Sequence, residues 1–135
     1  MNLSIPLPSP VNVTLSNLAL QFQTDADNGY IVRRIPFNAG TVHARTVRDG
    51  LIRNVGRLSA AVQAELQWSV SGGPTYIVWS YDTPIAWAFD RTWYFNGDRY
   101  STSTTRHQGI VMASLHNAGL KHKLIMTDVV TGSNA

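Results

Sequence analysis

Apolar residues recur every four positions through Leu58, Val62, Leu66 and Val70, with Ala60, Ala61, Ala64, Glu65 and Gln67 between them. That period is helical and the intervening residues are good helix formers, so the spacing predicts an amphipathic helix over Leu58 to Val70. Ser59 is placed to cap its start. Ser71-Gly72-Gly73-Pro74 ends it, Gly by supplying a left-handed closing residue and Pro by forbidding continuation. Elsewhere the period falls to two. Val11, Val13 and Leu15 alternate with polar neighbours, which predicts a strand or two across Val11 to Phe22. Before them, residues 1 to 10 are broken by Pro6, Pro8 and Pro10 and read as an extended arm. Tyr30 to Ile35 and Thr41 to Val47 are β-branched and alternating around Pro36-Phe37-Asn38-Ala39-Gly40, the pattern of a hairpin with a wide loop.

Four short apolar or β-branched segments follow the helix: Tyr76 to Tyr81, Ile85 to Phe89, Trp93 to Phe95 and Asp98 to Thr104. Asn96-Gly97 joins the last two and is the strongest hairpin signal in the chain, because both residues tolerate the positive φ of a type I′ turn. Asp90-Arg91 marks another reversal. Asp82-Thr83-Pro84 reads either as a turn or as a bulge within one long strand, since Pro requires only that its missing N–H lie outside a central ladder. Alternation places Ile77, Trp79 and Tyr81 on one face and Tyr76, Val78 and Ser80 on the other. With Trp87, Trp93, Tyr94 and Tyr100 the sheet is strongly aromatic, so at least one face carries exposed rings unless helices cover both. Thr105-Arg106-His107-Gln108 fits a capping box and opens a second helix, Arg106 to Ala118. Its packing stripe is Ile110, Val111, Ser114, Leu115 and Ala118, and Gly119 stops it. Leu120 to Val130 adds an edge strand, and Thr131 to Ala135 frays. The fold class expected is α+β: one domain, with a mainly antiparallel sheet of hairpins and two helices packed on one face.

Composition narrows the chemistry. A chain of 135 residues with 44% hydrophobic and only 14% charged residues buries a core of its own. It has no cysteine, which excludes disulfides, thiolate zinc sites and a cysteine nucleophile. The amino end lacks the positively charged segment of a signal peptide, and no uncharged apolar run reaches the roughly 18 residues of a membrane span. A soluble, cytoplasmic protein is therefore expected. The net charge of +3 permits attraction to nucleic acid without demanding it. Basic residues gather at Arg33-Arg34, Arg45 to Arg57 and Lys121-His122-Lys123.

Most of the carboxylates stand in predicted turns, and no pair has a spacing that implies joint acid and base work. Asp25-Ala26-Asp27 has the Asp-x-Asp start of a calcium loop, but Gly29 falls one place early and Pro36 stands where the closing acid belongs, so a plain turn accounts for it. Phosphate loops, nucleophile elbows and zinc-helix motifs are missing. His116 and His122 straddle Gly119 at a spacing no common zinc framework uses. His107 is the more informative histidine. Beside Arg106 and below Ser103, Thr104 and Thr105 at a helix start, it stands in a setting able to hold an anion; the simpler account is that Thr105 and Gln108 cap the helix while Arg106 and His107 are solvated. No metal or cofactor is implied.

Tyr76-Ile77-Val78-Trp79-Ser80-Tyr81-Asp82-Thr83-Pro84-Ile85-Ala86-Trp87, followed by Tyr100-Ser101-Thr102-Ser103-Thr104-Thr105-Arg106-His107-Gln108, resembles a small domain of unknown function found in actinobacteriophage and mycobacterial proteins. That family's pattern is Tyr-x-Val-x-Ser-Tyr-x-Thr-Pro-Ile-Ala, a variable hairpin, then Tyr-Ser-x-Thr-Thr-x-Arg/Lys-His. Residues 30 to 58 agree only loosely, through Gly40, Arg45 and Gly56. The resemblance implies a phage origin and expression in the host cytoplasm, and no reaction. The expectation is a non-enzymatic phage accessory protein that binds a host or phage protein through its aromatic sheet or the polar cluster at the helix start. The binding residues are expected to be Ser80, Tyr81, Thr83, Arg99, Thr104, Thr105, Arg106 and His107. The alternatives are a nucleic-acid-binding module and a nucleotide-binding protein that uses Thr104 to His107.

Overall fold

The computed structural model describes residues 9–127. In chain order the elements are β1 (Val11–Asn12), α1 (Leu15–Thr24), a 3-10 turn (Ala26–Asn28), β2 (Phe37–Asn38), β3 (Val42–Val47), α2 (Ala60–Gly72), β4 (Thr75–Ser80), β5 (Thr83–Phe89), β6 (Thr92–Asn96), α3 (Thr102–Asn117) and β7 (His122–Ile125). The seven strands lie in sequence order across one sheet. β2 to β6 form an antiparallel meander, and the outer pairs β1–β2 and β6–β7 are parallel. Parallel neighbours need a crossover connection, which α1 and α3 supply. None of the helices among the described residues is long and apolar enough to cross a membrane.

The class is α+β with a mostly antiparallel sheet, but among the described residues there are three helices, and they lie on both faces rather than two on one. Ala44, Tyr76, Val78, Ala86 and Ala88 pack with Leu18 of α1 and with Val111 and Leu115 of α3. On the reverse face, Val47, Ile77, Trp79 and Trp87 pack with Val62, Leu66 and Val70 of α2. Every residue of β4 is buried in consequence. The reason is visible in Tyr76-Ile77-Val78-Trp79 and Pro84-Ile85-Ala86-Trp87-Ala88: a run apolar at successive positions suits a strand covered on both sides. Trp79 and Trp87 of the aromatic sheet are therefore covered rather than exposed.

The helix expected from Leu58 to Val70 is α2, and the Ser59 side chain accepts from the Val62 N–H at its start. Other segments depart from expectation. Val11 to Phe22 keeps only two residues in strand; the Thr14 hydroxyl accepts from the Asn17 N–H at 3.1 Å and starts α1, so Leu15 and Leu18 face the core at helical spacing. Tyr30 to Ile35 is a turn, with Arg34 at φ 56°. It is held by the Tyr76 hydroxyl donating to the Ile35 carbonyl at 2.7 Å. The hairpin partner of β3 is the short β2 instead, joined through Gly40 at φ 77°.

Asn96-Gly97 makes no hairpin, and neither residue takes a positive φ. Asn96 is fully buried, and its amide donates to the Pro84 carbonyl at 2.9 Å and to the Tyr100 hydroxyl at 3.0 Å. Its Oδ1 accepts from the Asp98 N–H at 3.0 Å. The chain is turned out of the sheet there, and the strand expected over Asp98 to Thr104 is a loop followed by the first turn of α3. Of the two readings of Asp82-Thr83-Pro84 the turn holds: Tyr81, at φ 54°, and Asp82 reverse the chain between β4 and β5. There is no single long strand to carry a bulge; the register shift lies further along the β4–β5 ladder, between Val78 and Trp79, whose partners are Ala86 and Pro84. Asp90 at φ 54° makes the expected reversal before β6, and Gly119 at φ 72° follows the end of α3. The edge strand is confined to β7; residues 128–130 of the expected strand, residues 1–8 of the arm and the tail 131–135 lie outside the described residues.

Candidate functional site

α3 starts four residues earlier than the capping box suggests. The cap is Ser101, whose side chain accepts from the Thr104 N–H at 3.1 Å. Thr105 instead lies within the first turns, its hydroxyl donating to the Ser101 carbonyl, and the Gln108 amide reaches the carbonyls of Asn96 and Asp98 rather than the cap. This earlier start turns Thr104 and His107 inward, onto the end of β4. Both are buried there, against the expectation that His107 is solvated.

A chain of polar groups results. The Ser101 hydroxyl donates to Thr104 Oγ1 at 3.2 Å, Thr104 Oγ1 lies 3.0 Å from Ser80 Oγ, Ser80 Oγ lies 2.7 Å from His107 Nδ1, and His107 Nε2 lies 3.2 Å from Thr41 Oγ1. One assignment satisfies all of them: Thr104 donates to Ser80, Ser80 to Nδ1, and an Nε2–H to Thr41, with the imidazole neutral. Burial, and then the charge of Arg106, hold His107 below the ordinary imidazole range, which agrees with that tautomer. The serine–imidazole pair has the contact of a nucleophile and base, yet Ser80 is only 1% exposed and the distal nitrogen meets a threonine rather than a carboxylate. Chemically the arrangement fixes the end of β4 to α3 and to the start of β3.

In front of this chain opens a recess of about 310 Å³ lined by Arg57, Ser80, Tyr81, Thr83, Tyr100, Ser101, Ser103 and Thr104. Arg57 arrives on the long loop between β3 and α2, docked by its backbone N–H donating to Thr83 Oγ1 at 3.1 Å. Gly56 permits the docking: its φ is 51°, and a Cβ there would stand 2.5 Å from the Asp82 carbonyl oxygen. The phenol of Tyr100 is held by Asn96 and pushed up in pKa, chiefly by burial. Tyr81 is 49% exposed at the turn, with its ring 5.7 Å from that of His107.

The expected binding residues thus divide. Ser80, Tyr81, Thr83 and Thr104 line this recess, and His107 stands behind it. Arg99 and Thr105 line a separate recess with Phe95, Gly97, Gln108, Gly109, Met112 and Met126. Arg106 is exposed and lines neither. Thr104 to His107 therefore do not line one recess. Thr41, Arg57 and Ser101 belong to the site without having been expected there, and Ser103 was named only in the polar setting at the helix start; Gly56 beside Arg57 was the one local hint of a close backbone approach. Among the described residues, no group of three His, Asp or Glu side chains is arranged to hold a metal ion. No curated protein and no solved structure matches the chain. One family model does, over residues 23–123, which takes in the recess, the hydroxyl–imidazole chain and the sheet from β2 to β6: the chain belongs to DUF8033, a family of unknown function.

Proposed function

We propose that this chain is a binding protein without catalytic activity, and that it engages a protein partner through the recess at the β4–β5 turn. The observation that carries this reading is the contrast between two polar layers. The inner layer, from Ser101 through Thr104, Ser80 and His107 to Thr41, is closed on itself. In the outer layer the Arg57 guanidinium and the hydroxyls of Tyr81 and Ser103 have no partner among the described residues. Tyrosine and arginine are the residue types that dominate protein–protein contacts, and a recess of this size accepts a side chain or two of a partner. A carboxylate on the partner would pair with Arg57. The phage origin implied by the motif resemblance makes that partner a host or phage protein, met in the host cytoplasm.

The test is capture of partners from nuclease-treated host lysate by the tagged protein, read by mass spectrometry. Arg57→Ala with Tyr81→Ala should lose the captured protein, each substitution costing about 2 kcal/mol of binding. Trp68→Ala, on the far surface of α2 and 65% exposed, should retain it. A protein captured equally by all three forms would overturn the assignment to the recess. Material captured only without nuclease would transfer the reading to nucleic acid.

A further inference from the structure

We propose that the arginine segment running from the end of β3 into the loop before α2 is a second binding site, one that takes the phosphate backbone of a nucleic acid. Residues 45–57 contain Arg45, Arg48, Arg53 and Arg57 with Asp49 as the one acid, a charge of +3; that equals the net charge of the whole chain, so the rest of the sequence is balanced. The excess is local, the condition under which a modest net charge steers a polyanion. Arg45, Arg48 and Arg53 line a recess of about 190 Å³ together with Asp49, and Arg57 follows in the same loop. Guanidiniums spread along one segment of chain suit an extended row of phosphates better than a single one.

Arg45 packs on an aromatic neighbour. Its guanidinium lies 5.2 Å from the centre of the Trp79 ring, and Trp79 is fixed by its indole N–H donating to the Asn54 carbonyl at 2.8 Å. His43 stacks on the same ring at 5.3 Å. It is held below the ordinary imidazole range by burial and then by Arg45, with Asp82 opposing, so the strip also presents a neutral ring beside the cation. Arg53 is partly neutralised by Asp49 at 2.6 Å, the one salt bridge among the described residues, with both side chains about half exposed. Planar guanidiniums match phosphate oxygens two at a time. A lipid surface is the other common polyanion, but the segment offers it a single exposed large apolar side chain, Leu51.

The experiment is fluorescence anisotropy of the intact protein with labelled single-stranded and duplex oligonucleotides. With three to four phosphates neutralised, the logarithm of affinity for the single strand should fall against the logarithm of salt with a slope of about −2 to −3. Arg48→Ala with Arg53→Ala, both exposed and outside the core, should weaken binding about tenfold and flatten that slope. Asp49→Asn should tighten binding a few-fold by releasing Arg53, an effect that misfolding cannot imitate. Three results would overturn the proposal: no oligonucleotide binding at about 50 mM salt, affinity unchanged in the double arginine variant, or binding to anionic vesicles without binding to oligonucleotide. Arg57 belongs to both sites, but the partner capture uses nuclease-treated lysate and tests Arg57 and Tyr81, whereas the oligonucleotide assay tests Arg48, Arg53 and Asp49, so either proposal can fail while the other stands.

Discussion

His107→Asn separates what the buried imidazole contributes by packing from what it contributes by staying neutral. Asparagine keeps a polar atom where Nδ1 meets Ser80 and removes the one that reaches Thr41. Losing that hydrogen bond from a side chain only 3% exposed costs about 1 kcal/mol, and the space left by the missing ring atoms about as much again, so a loss of roughly 2 kcal/mol at neutral pH follows. For a domain of this size that is a fall in Tm of roughly 5–10 °C. The pH dependence carries the sharper information. Burial first, and Arg106 second, lower the folded-state pKa of His107 from the ordinary 6.5 that the unfolded chain regains. Between the lowered value and 6.5 the unfolded chain binds the extra proton, so the wild type loses stability as pH falls through that window, by up to about 1.4 kcal/mol per pH unit. Below the folded value the penalty is complete and constant. The asparagine variant has no such group, so the gap between the two proteins should narrow from pH 7 toward pH 5 in urea unfolding followed by tryptophan fluorescence. His43, also lowered by burial and Arg45, is common to both and cancels. Parallel pH profiles with a constant gap would refute the neutral, buried imidazole.

Two further substitutions test how the recess is built. Gly56→Ala places a methyl group against Thr83 Oγ1 and the Asp82 carbonyl at a φ of 51°, so the loop must lift and the Arg57 anchor to Thr83 breaks. It should cost about 2–3 kcal/mol in chemical denaturation and abolish partner capture; a cost below about 0.5 kcal/mol would show that the loop is not docked. Asn96→Ala strips hydrogen bonds from Pro84, Tyr100 and Asp98 at a fully buried position, and should lower stability by about 3 kcal/mol. Differential scanning calorimetry checks this, and a Tm within about 2 °C of wild type would mean that water or another donor takes over.

How much of the site was legible follows from sequence separation. Ser80, Tyr81 and Thr83 lie within one motif, and Thr104 and His107 within the next, so their candidacy needed only the chain itself. Thr41 is 66 residues from the imidazole it meets, and Arg57 is 26 from Thr83; no local pattern announces such contacts. The helix start shows the same limit at short range. Ser101, Thr102, Ser103, Thr104 and Thr105 are all competent caps, so capping chemistry alone does not choose among them. The choice falls to Ser101 because that frame turns Thr104 and His107 onto Ser80.

The sequence by itself determined the features whose energetics are local: α2 with its Ser59 cap, the Asp90 reversal, the Gly119 stop, and an α+β class with mostly antiparallel strands. Tertiary structure alone decided the rest. Asn96-Gly97 has the chemistry of a hairpin, but the Pro84 carbonyl, which that amide satisfies, recruits Asn96 and carries the chain away from the sheet. The alternation at Val11 to Leu15 gives way to α1 because a parallel β1–β2 pair needs a crossover and the face of Tyr76 and Val78 needs a cover. Apolar runs in β4 and β5 are compatible with burial of both faces, but the sequence left one face open; that α1 and α3 cover one side and α2 the other depended on distant residues meeting.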